Sequence, residues 1–598
     1  MSNTEQQQIK STFANTVQSI REHLSSWHKR RMALLAVLIV ISAFCDVVSL
    51  GLILPIISIA TDPTIIQRNQ YLSWAYNYFQ FDSVAQFSLV LVIVVMFFYL
   101  IKNSYALFVN WLSTKFTVDV AIHITRNQFN KYYDLTYLDF TNINSALILN
   151  HVFSNPTSYM IWIINPVIML FSELLIVLFI IGFMIFSNPI LFLCLVATVG
   201  PATFLIYYSL RNVNTQIGTG MDLAYPRAVE ALNHSIFGYT DIKLTGTERV
   251  FRQKYLAAIE KYHSLNMKGA FLSLVPLRAY ELVAIIGIVV VFAYIYFRNM
   301  IEANSEALTL VVLFAVSASR IMPSLNRIVS SMMYIRKTQV SIKNLNFLKD
   351  KTLDNRTEVT SDPLTFNKEI IFENINFRFT KDQGYLLRNI SFTVKKGEKI
   401  GFVGVSGSGK TTLMNILLRF LKEDDGAITT DGTKLTDRNM RSWRNLLGYV
   451  KQDIFIMDAS IKANIAFGED KIDEQKLMRA ITQASLQDLV DSLPEGVETK
   501  IGEKGSKLSG GQRQRIGIAR ALYRDAQILI FDEATSALDT ATETEVTEAI
   551  DKLSDINKTI FIIAHRITTL KNCNRIYELE KGCIKSEYSY RELIDKVV

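Results

Sequence analysis

The sequence predicts a helical membrane half followed by an α/β half, and three observations carry that prediction. Apolar residues crowd positions 32–335, where six stretches reach the roughly 20 residues that a helix needs to cross a hydrocarbon core of about 30 Å. After about residue 350 the composition turns mixed, and β-type apolar runs alternate with helical segments, the pattern of a mostly parallel sheet flanked by helices. In that second half "GVSGSGKTT" follows the apolar run "KIGFVGV" and opens the helical run "TTLMNILLRFL", a strand–loop–helix order suited to phosphate.

The chain has 598 residues, enough for several domains; 49% are hydrophobic and mean hydropathy is +0.21. Net charge is +8. In a soluble protein that excess points to nucleic acid. Here the basic residues gather in loops between apolar stretches, as the positive-inside rule expects, so nucleic acid is not an expected partner. The cysteines (Cys45, Cys194, Cys573 and Cys583) show no paired spacing, which argues against a disulfide framework or a metal cluster. Residues 1–31 are polar and basic, without the apolar core of a signal peptide. They read either as an amphipathic segment on the membrane surface or as a frayed tail.

The six stretches are 32–60, 86–111, 158–187, 189–210, 271–298 and 306–335, within a membrane domain of 32–336. A short "SNP" break joins the third to the fourth, while long polar stretches follow the second (112–157) and the fourth (211–270). The latter carries Arg211, Arg227, Lys243, Arg249, Arg252, Lys254, Lys261 and Lys268, whereas 299–306 has no basic residue. Residues 211–270 and both termini are therefore assigned to the cytoplasm. Both long stretches read as helical extensions of the spans, with tips near Tyr137–Asn142 and Leu223–Arg227 that dock on the second half. A charged linker, 337–366, leads to a domain at 367–598, whose expected strands include "IIFENINFRF", "NISFTV", "KIGFVGV", "ILIFD" and "TIFIIAH".

In "GVSGSGKTT", Gly404, Ser406, Gly407, Ser408 and Gly409 form a loop whose backbone N–H groups can wrap phosphates at a helix N-terminus. Lys410 is placed to reach the β/γ-phosphates, Thr411 to offer Mg²⁺ an oxygen, and Thr412 to extend the cradle. "ILIFDEAT" reads as a buried strand ending in two carboxylates. Asp532 is placed to hold Mg²⁺ through water and Glu533 to polarise an attacking water; taken alone, the pair also suits a solvated strand end.

The order "GVSGSGKT", "YVKQD", "KLSGGQRQR", "ILIFDEATSALD", "FIIAHR" resembles the nucleotide-binding domain of ABC transporters over residues 369–598. The resemblance implies an ATPase using ATP and Mg²⁺, with Gln452 as the Q-loop glutamine and a metal neighbour, Asp539 as the D-loop aspartate, and His565 as the switch histidine. It further implies that Ser509, Gly510, Gly511 and Gln512 form a signature loop completing the nucleotide site of a second identical chain. Phe379 stands where a tyrosine usually stacks on adenine, with Tyr385 as a lesser candidate, and Lys500 stands where exporters often carry an acid. With six spans, the whole resembles an exporter-type half-transporter: a membrane α-helical domain fused to an α/β P-loop ATPase.

Ionisable residues inside spans are functional candidates. Lys102, Arg278, Arg320 and Arg327 suit an anionic substrate such as a pyrophosphate headgroup, although pairing of Arg278 with Glu281, and snorkelling of Lys102 and Arg327, also account for them. Asp46 is a further intramembrane acid with no assigned role. The aromatic-rich "TDPTIIQRNQYLSWAYNYFQFD" reads as an outer interfacial helix for a lipid tail or as an aromatic anchor. With "GLILPIISIATDP", "GYTDIKLTGTERVFRQKY" and "SASRIMPSLNRI", it resembles the bacterial flippase of lipid-linked oligosaccharides used in N-glycosylation. That resemblance implies an inner-membrane protein moving a polyprenyl-pyrophosphate oligosaccharide outward. An exporter of a lipopolysaccharide precursor, peptide or drug is the alternative, and the absence of a leading cysteine peptidase weighs against leader-peptide processing. A nucleic-acid ATPase with a signature loop is opposed by the six spans.

Overall fold

A computed structural model describes residues 14–187, 189–297, 304–338, 342, 345, 346, 348, 362–534, 540–555, 557–564 and 566–597. The chain forms two compact units, one of residues 1–133 with 141–351 and one of 134–140 with 352–598.

Among the described residues the first unit is built of helices and the turns that join them. After a short helix at 14–23, long helices run over Ser26–Thr61, Val84–Tyr133, Asn165–Ser187, Pro189–Phe237, Glu248–Phe297 and Asn304–Lys337. Five helical stretches among the described residues are long and apolar enough to cross a membrane. The sixth expected span falls in Asn304–Lys337, the helix that carries Arg320 and Arg327. Val84–Tyr133 has 50 residues, about 75 Å of helix at ~1.5 Å per residue, more than twice a hydrocarbon core. Its polar end therefore continues well beyond the apolar window, as the alternation of apolar and polar stretches demands.

Local chemistry sets the helix ends. Ser25 accepts from the His28 N–H to start the first long helix. Proline opens the helix at Pro189, where a missing N–H leaves no bond unmade. Ile180, Val291 and Phe314 are fully buried in the packed interior. Gly287 is required there, because a Cβ would come within 2.5 Å of the Phe314 ring.

One expected tip is corrected. Leu223–Arg227 lies inside the unbroken helix Pro189–Phe237, and Pro226 is accommodated within it. The chain turns instead at Tyr239–Thr245, between Gly238 and Gly246, whose φ of +66° caps the helix in the left-handed region. The other expected tip does form a short helix, Tyr137–Thr141, and residues 134–140 belong to the second unit. Tyr137 stacks on Phe420 with ring centroids 4.9 Å apart.

The second unit contains two sheets rather than one. A six-stranded sheet has the order β10-β9-β3-β8-β7-β6, with β3 (Lys399–Val403), β6 (Leu447–Val450), β7 (Ile528–Asp532), β8 (Thr559–Ile563) and β9 (Arg575–Glu580) in parallel pairs and β10 (Cys583–Tyr588) antiparallel to β9. The expected strands "IIFENINF" and "NISFTV" lie outside it. They form β1 (Glu369–Phe377) and β2 (Leu387–Lys395), which pair antiparallel in a second sheet of order β2-β1-β4-β5, with β4 at Asp425–Thr430 and β5 at Thr433–Lys434. Residues 378–386 are too few for a parallel crossover, which needs about a dozen or more. β8 is buried along its whole length, as a strand covered on both faces must be.

Candidate functional site

β3 delivers the chain into the loop 404–409 and the helix Lys410–Leu417. Gly404, Gly407 and Gly409 have φ of +148°, +81° and +106°, conformations that side chains resist. A Cβ on Gly404 would sit 2.3 Å from the Leu579 carbonyl oxygen, whereas nothing lies within 4 Å of the Cβ position of Gly407. The Lys410 amine is nearly buried and donates to the carbonyls of Gly404 (2.8 Å) and Val405 (3.1 Å), which keeps it over the loop. Burial pulls its pKa below the usual lysine range, opposed by the nearby Glu533 and Asp532 carboxylates. The Ser408 hydroxyl is buried without a hydrogen-bond partner among the described residues. A loop of open backbone with a cation folded over it is a cradle for a polyphosphate, so the residues present fit ATP.

β7 and β6 bring the acidic end of the site together. Asp532 ends β7 and accepts from the Tyr449 hydroxyl at 2.9 Å. Burial raises its pKa, as does the adjacent Glu533 charge, and the Tyr449 hydrogen bond works the other way. Burial and the same carboxylate push the Tyr449 phenol up. Glu533 has φ of +53° and its N–H donates to the Ile563 carbonyl at 3.1 Å, so its conformation is fixed by β8. Asp532, Thr411 and Gln452 are an oxygen-only set, the donor chemistry that Mg²⁺ prefers.

The signature loop opens the helix Gly510–Tyr523 through a reciprocal cap. Ser509 Oγ accepts from the Gln512 N–H at 3.2 Å, and Gln512 Oε1 accepts from the Ser509 N–H at 2.8 Å. One turn on, the buried Gln514 donates to the carbonyls of Lys451 (3.2 Å) and Gln452 (2.7 Å), tying the signature helix to the segment holding the expected Q-loop glutamine. The sequence reading did not single out Gln514. Phe379 is 47% exposed and packs edge-on to Phe377, leaving a ring face open. The Tyr385 hydroxyl is engaged with Asp425 at 2.7 Å, which favours Phe379 as the stacking platform. Asp539 and His565 lie outside the described residues.

In the membrane unit each expected cation is met by a carboxylate. Asp46, only 6% exposed, holds Lys102 Nζ at 2.7 Å and Arg320 Nη2 at 2.6 Å. Lys102 also donates to Ser49 Oγ at 3.3 Å. Arg327 pairs with the buried Glu173 at 2.5 Å, and Arg278 with Glu281 at 2.9 Å, one helical turn away and exposed. Lys102 and Arg327 therefore reach partners on other helices instead of snorkelling outward. Asp46 pairs with two of these cations, partners that come from helices far apart in the chain and so leave no local signal in the sequence. The helix Gln70–Tyr78 packs Leu72, Ala75 and Tyr76 against Ile66 and Phe87, and leaves Tyr71, Trp74 and Tyr78 exposed as a stripe.

Residues 387–536 match the family model described as ABC transporter. The ATP-dependent lipid A-core flippase of Bordetella avium is 31% identical over 487 residues, 80% of this chain and 80% of that protein. The chain belongs to the ABC transporter family. This transporter is a half-transporter, joining one helical membrane unit to one ATPase unit that binds ATP, and is an ATP-hydrolysing translocase. The lipid A-core flippase of Ralstonia nicotianae is 46% identical over 231 residues, which span 38% of this transporter and 39% of that protein. A solved bacterial Atm1-family ABC exporter with ATP bound shares the fold, at a TM-score of 0.75 and 22% identity over 95% of this chain and 96% of that one.

Proposed function

We propose that the transporter is an ATP-driven flippase that moves a lipid-linked oligosaccharide of the polyprenyl-pyrophosphate type from the cytoplasmic to the outer leaflet of the bacterial inner membrane. In this reading it works as a homodimer with both termini in the cytoplasm. The observation that carries it is the Asp46 cluster. Two cations on one carboxylate leave a net positive charge inside the membrane unit, placed for a phosphate-bearing headgroup. The exposed Tyr71, Trp74 and Tyr78 stripe supports it as a face for an isoprenoid tail.

In the ATPase unit, the loop 404–409 and Lys410 hold the phosphates, with Thr412 beside them, and Phe379 stacks on adenine. Thr411, Asp532 and Gln452 would hold Mg²⁺, which would neutralise charge on the phosphates. Glu533 accepts a proton from the attacking water, and the motif order assigns His565 the role of switch histidine for the γ-phosphate and Asp539 that of D-loop aspartate. Ser509, Gly510, Gly511 and Gln512 of each copy close the nucleotide site of the other. For the substrate, Arg320 and Lys102 exchange their carboxylate for phosphate oxygens, while Arg327 and Arg278 stand by with carboxylates of their own.

A lipid A–core type substrate is the second reading, favoured by the likeness to the Bordetella avium protein; it too combines phosphate, sugar and a hydrophobic tail. The test is flipping in proteoliposomes with both lipids and Glu533→Gln as control. ATP-dependent turnover of the polyprenyl-pyrophosphate oligosaccharide, lost in the variant, is expected. Turnover of lipid A–core alone selects the second reading, and ATP hydrolysis without movement of either lipid refutes both.

A further inference from the structure

Within the membrane unit a polar cavity of about 410 Å³ opens among the long helices, in the size range of small-ligand sites. None of the expected substrate cations lines it. Its walls include a carboxylate (Asp222), an amine (Lys337), primary amides (Asn150 and Asn266 among them) and aromatic side chains (Trp162 and Tyr262 among them).

We propose that this cavity binds a sugar ring of the substrate's glycan on the cytoplasmic side, before the lipid turns over. The inference rests on the flippase reading and adds to it a glycan-recognition site separate from the Asp46 cluster. Three observations carry it. First, the Asp222 Oδ2 is buried with no hydrogen-bond partner among the described residues. A stranded acceptor of that kind is costly, and a ligand hydroxyl satisfies it. Second, two of the helical segments bordering the cavity depart from α-geometry. Asn150–Ser154 and Met160–Ile164 are both π-helical, an irregularity that recurs at functional sites, and they carry Asn150 and Trp162. Third, two glycines make room for Lys337. A Cβ on Gly218 would lie 2.3 Å from the Lys337 carbonyl oxygen, and one on Gly269 would lie 3.3 Å from its amine, which extends over the Trp162 ring at 5.9 Å.

The donor set selects the ligand class. Asp222 disfavours an anion and Lys337 disfavours a cation. An apolar tail would leave the amides of Asn150 and Asn266 unsatisfied. A hydroxyl-rich ring both donates to a carboxylate and accepts from amides and an amine, and its C–H face stacks on Trp162 or Tyr262.

The test uses the full chain in lipid nanodiscs and two probes, polyprenyl pyrophosphate with and without its oligosaccharide. The readout is the ratio of the concentrations that half-stimulate ATP hydrolysis. Wild type is expected to respond to the glycosylated lipid at about tenfold lower concentration, the size of one hydrogen bond to a charged group. Asp222→Ala strands no protein donor on Oδ2, and it should bring the ratio to within about twofold. Tyr262→Leu, which removes one aromatic face, should lower the ratio in the same direction. A purely structural role would move both lipids together and leave the ratio alone. Equal response of wild type to the two lipids, or an unchanged ratio in both variants, overturns the glycan site while leaving the flippase reading intact. No stimulation of wild type by either lipid overturns that reading and this inference together.

Discussion

Asp46→Asn removes the charge that holds two cations inside the membrane unit. Lys102 Nζ and Arg320 Nη2 lie 2.7 and 2.6 Å from its two oxygens, and Asp46 is 6% exposed. Breaking a buried pair by deleting one partner costs about 3–5 kcal/mol. Relief is available here. Arg320 retains a third of its side-chain exposure, and Lys102 keeps Ser49 and the Tyr99 ring face, 4.9 Å away. The lower end, about 3 kcal/mol, is therefore expected, equivalent to roughly 6–12 °C in the apparent Tm of a domain of this size. The assay is thermal unfolding of the purified transporter in detergent, run as a double-mutant cycle with Lys102→Gln. The double variant, relieved of one stranded cation, should be more stable than the sum of the two single losses by about 1–2 kcal/mol. Additivity within about 0.5 kcal/mol, or a shift below about 2 °C for Asp46→Asn, would refute the reasoning.

Gly404→Ala places a Cβ 2.3 Å from the Leu579 carbonyl at φ +148°. A strain of about 1–3 kcal/mol should weaken binding of a fluorescent ATP analogue by about tenfold or more. Gln514→Ala frees the carbonyls of Lys451 and Gln452, so hydrogen exchange should rise at residues 451–455 without a matching rise in β7. Burial pushes the Glu398 carboxyl up, but the Arg575 guanidinium and the Lys395 N–H outweigh it and hold the group below the ordinary glutamate value of 4.5. Its contribution is therefore present above that value and is lost as pH falls through the depressed one. In denaturation of the full chain, the stability gap between wild type and Glu398→Gln should be widest near neutrality and close in acid; a gap that widens in acid contradicts the assignment.

Legibility in the sequence followed the range of the interactions involved. The phosphate loop, the carboxylates of β7 and the signature loop are local, and each is written in consecutive residues. The reciprocal cap of Ser509 and Gln512 follows from their spacing alone. The turn at Tyr239–Thr245 was also readable, from Gly238 and Gly246, whereas the expected tip at Leu223–Arg227 lies within a continuous helix. The antiparallel pairing of β1 with β2 was hidden because both runs are apolar enough to suit a buried parallel strand; only the length of 378–386 decides it. The partners of Asp46 and Glu173 come from helices distant in sequence, and a single sequence carries no signal for such pairs.

The stacking of Tyr137 on Phe420 has a consequence for biogenesis. Residues 134–140 leave the ribosome between the second and third expected spans, long before the strands they pack with exist. The segment must wait, aromatic and unpartnered, while the rest of the membrane unit is inserted. The second unit is therefore complete only when a segment made early in synthesis meets a partner made late.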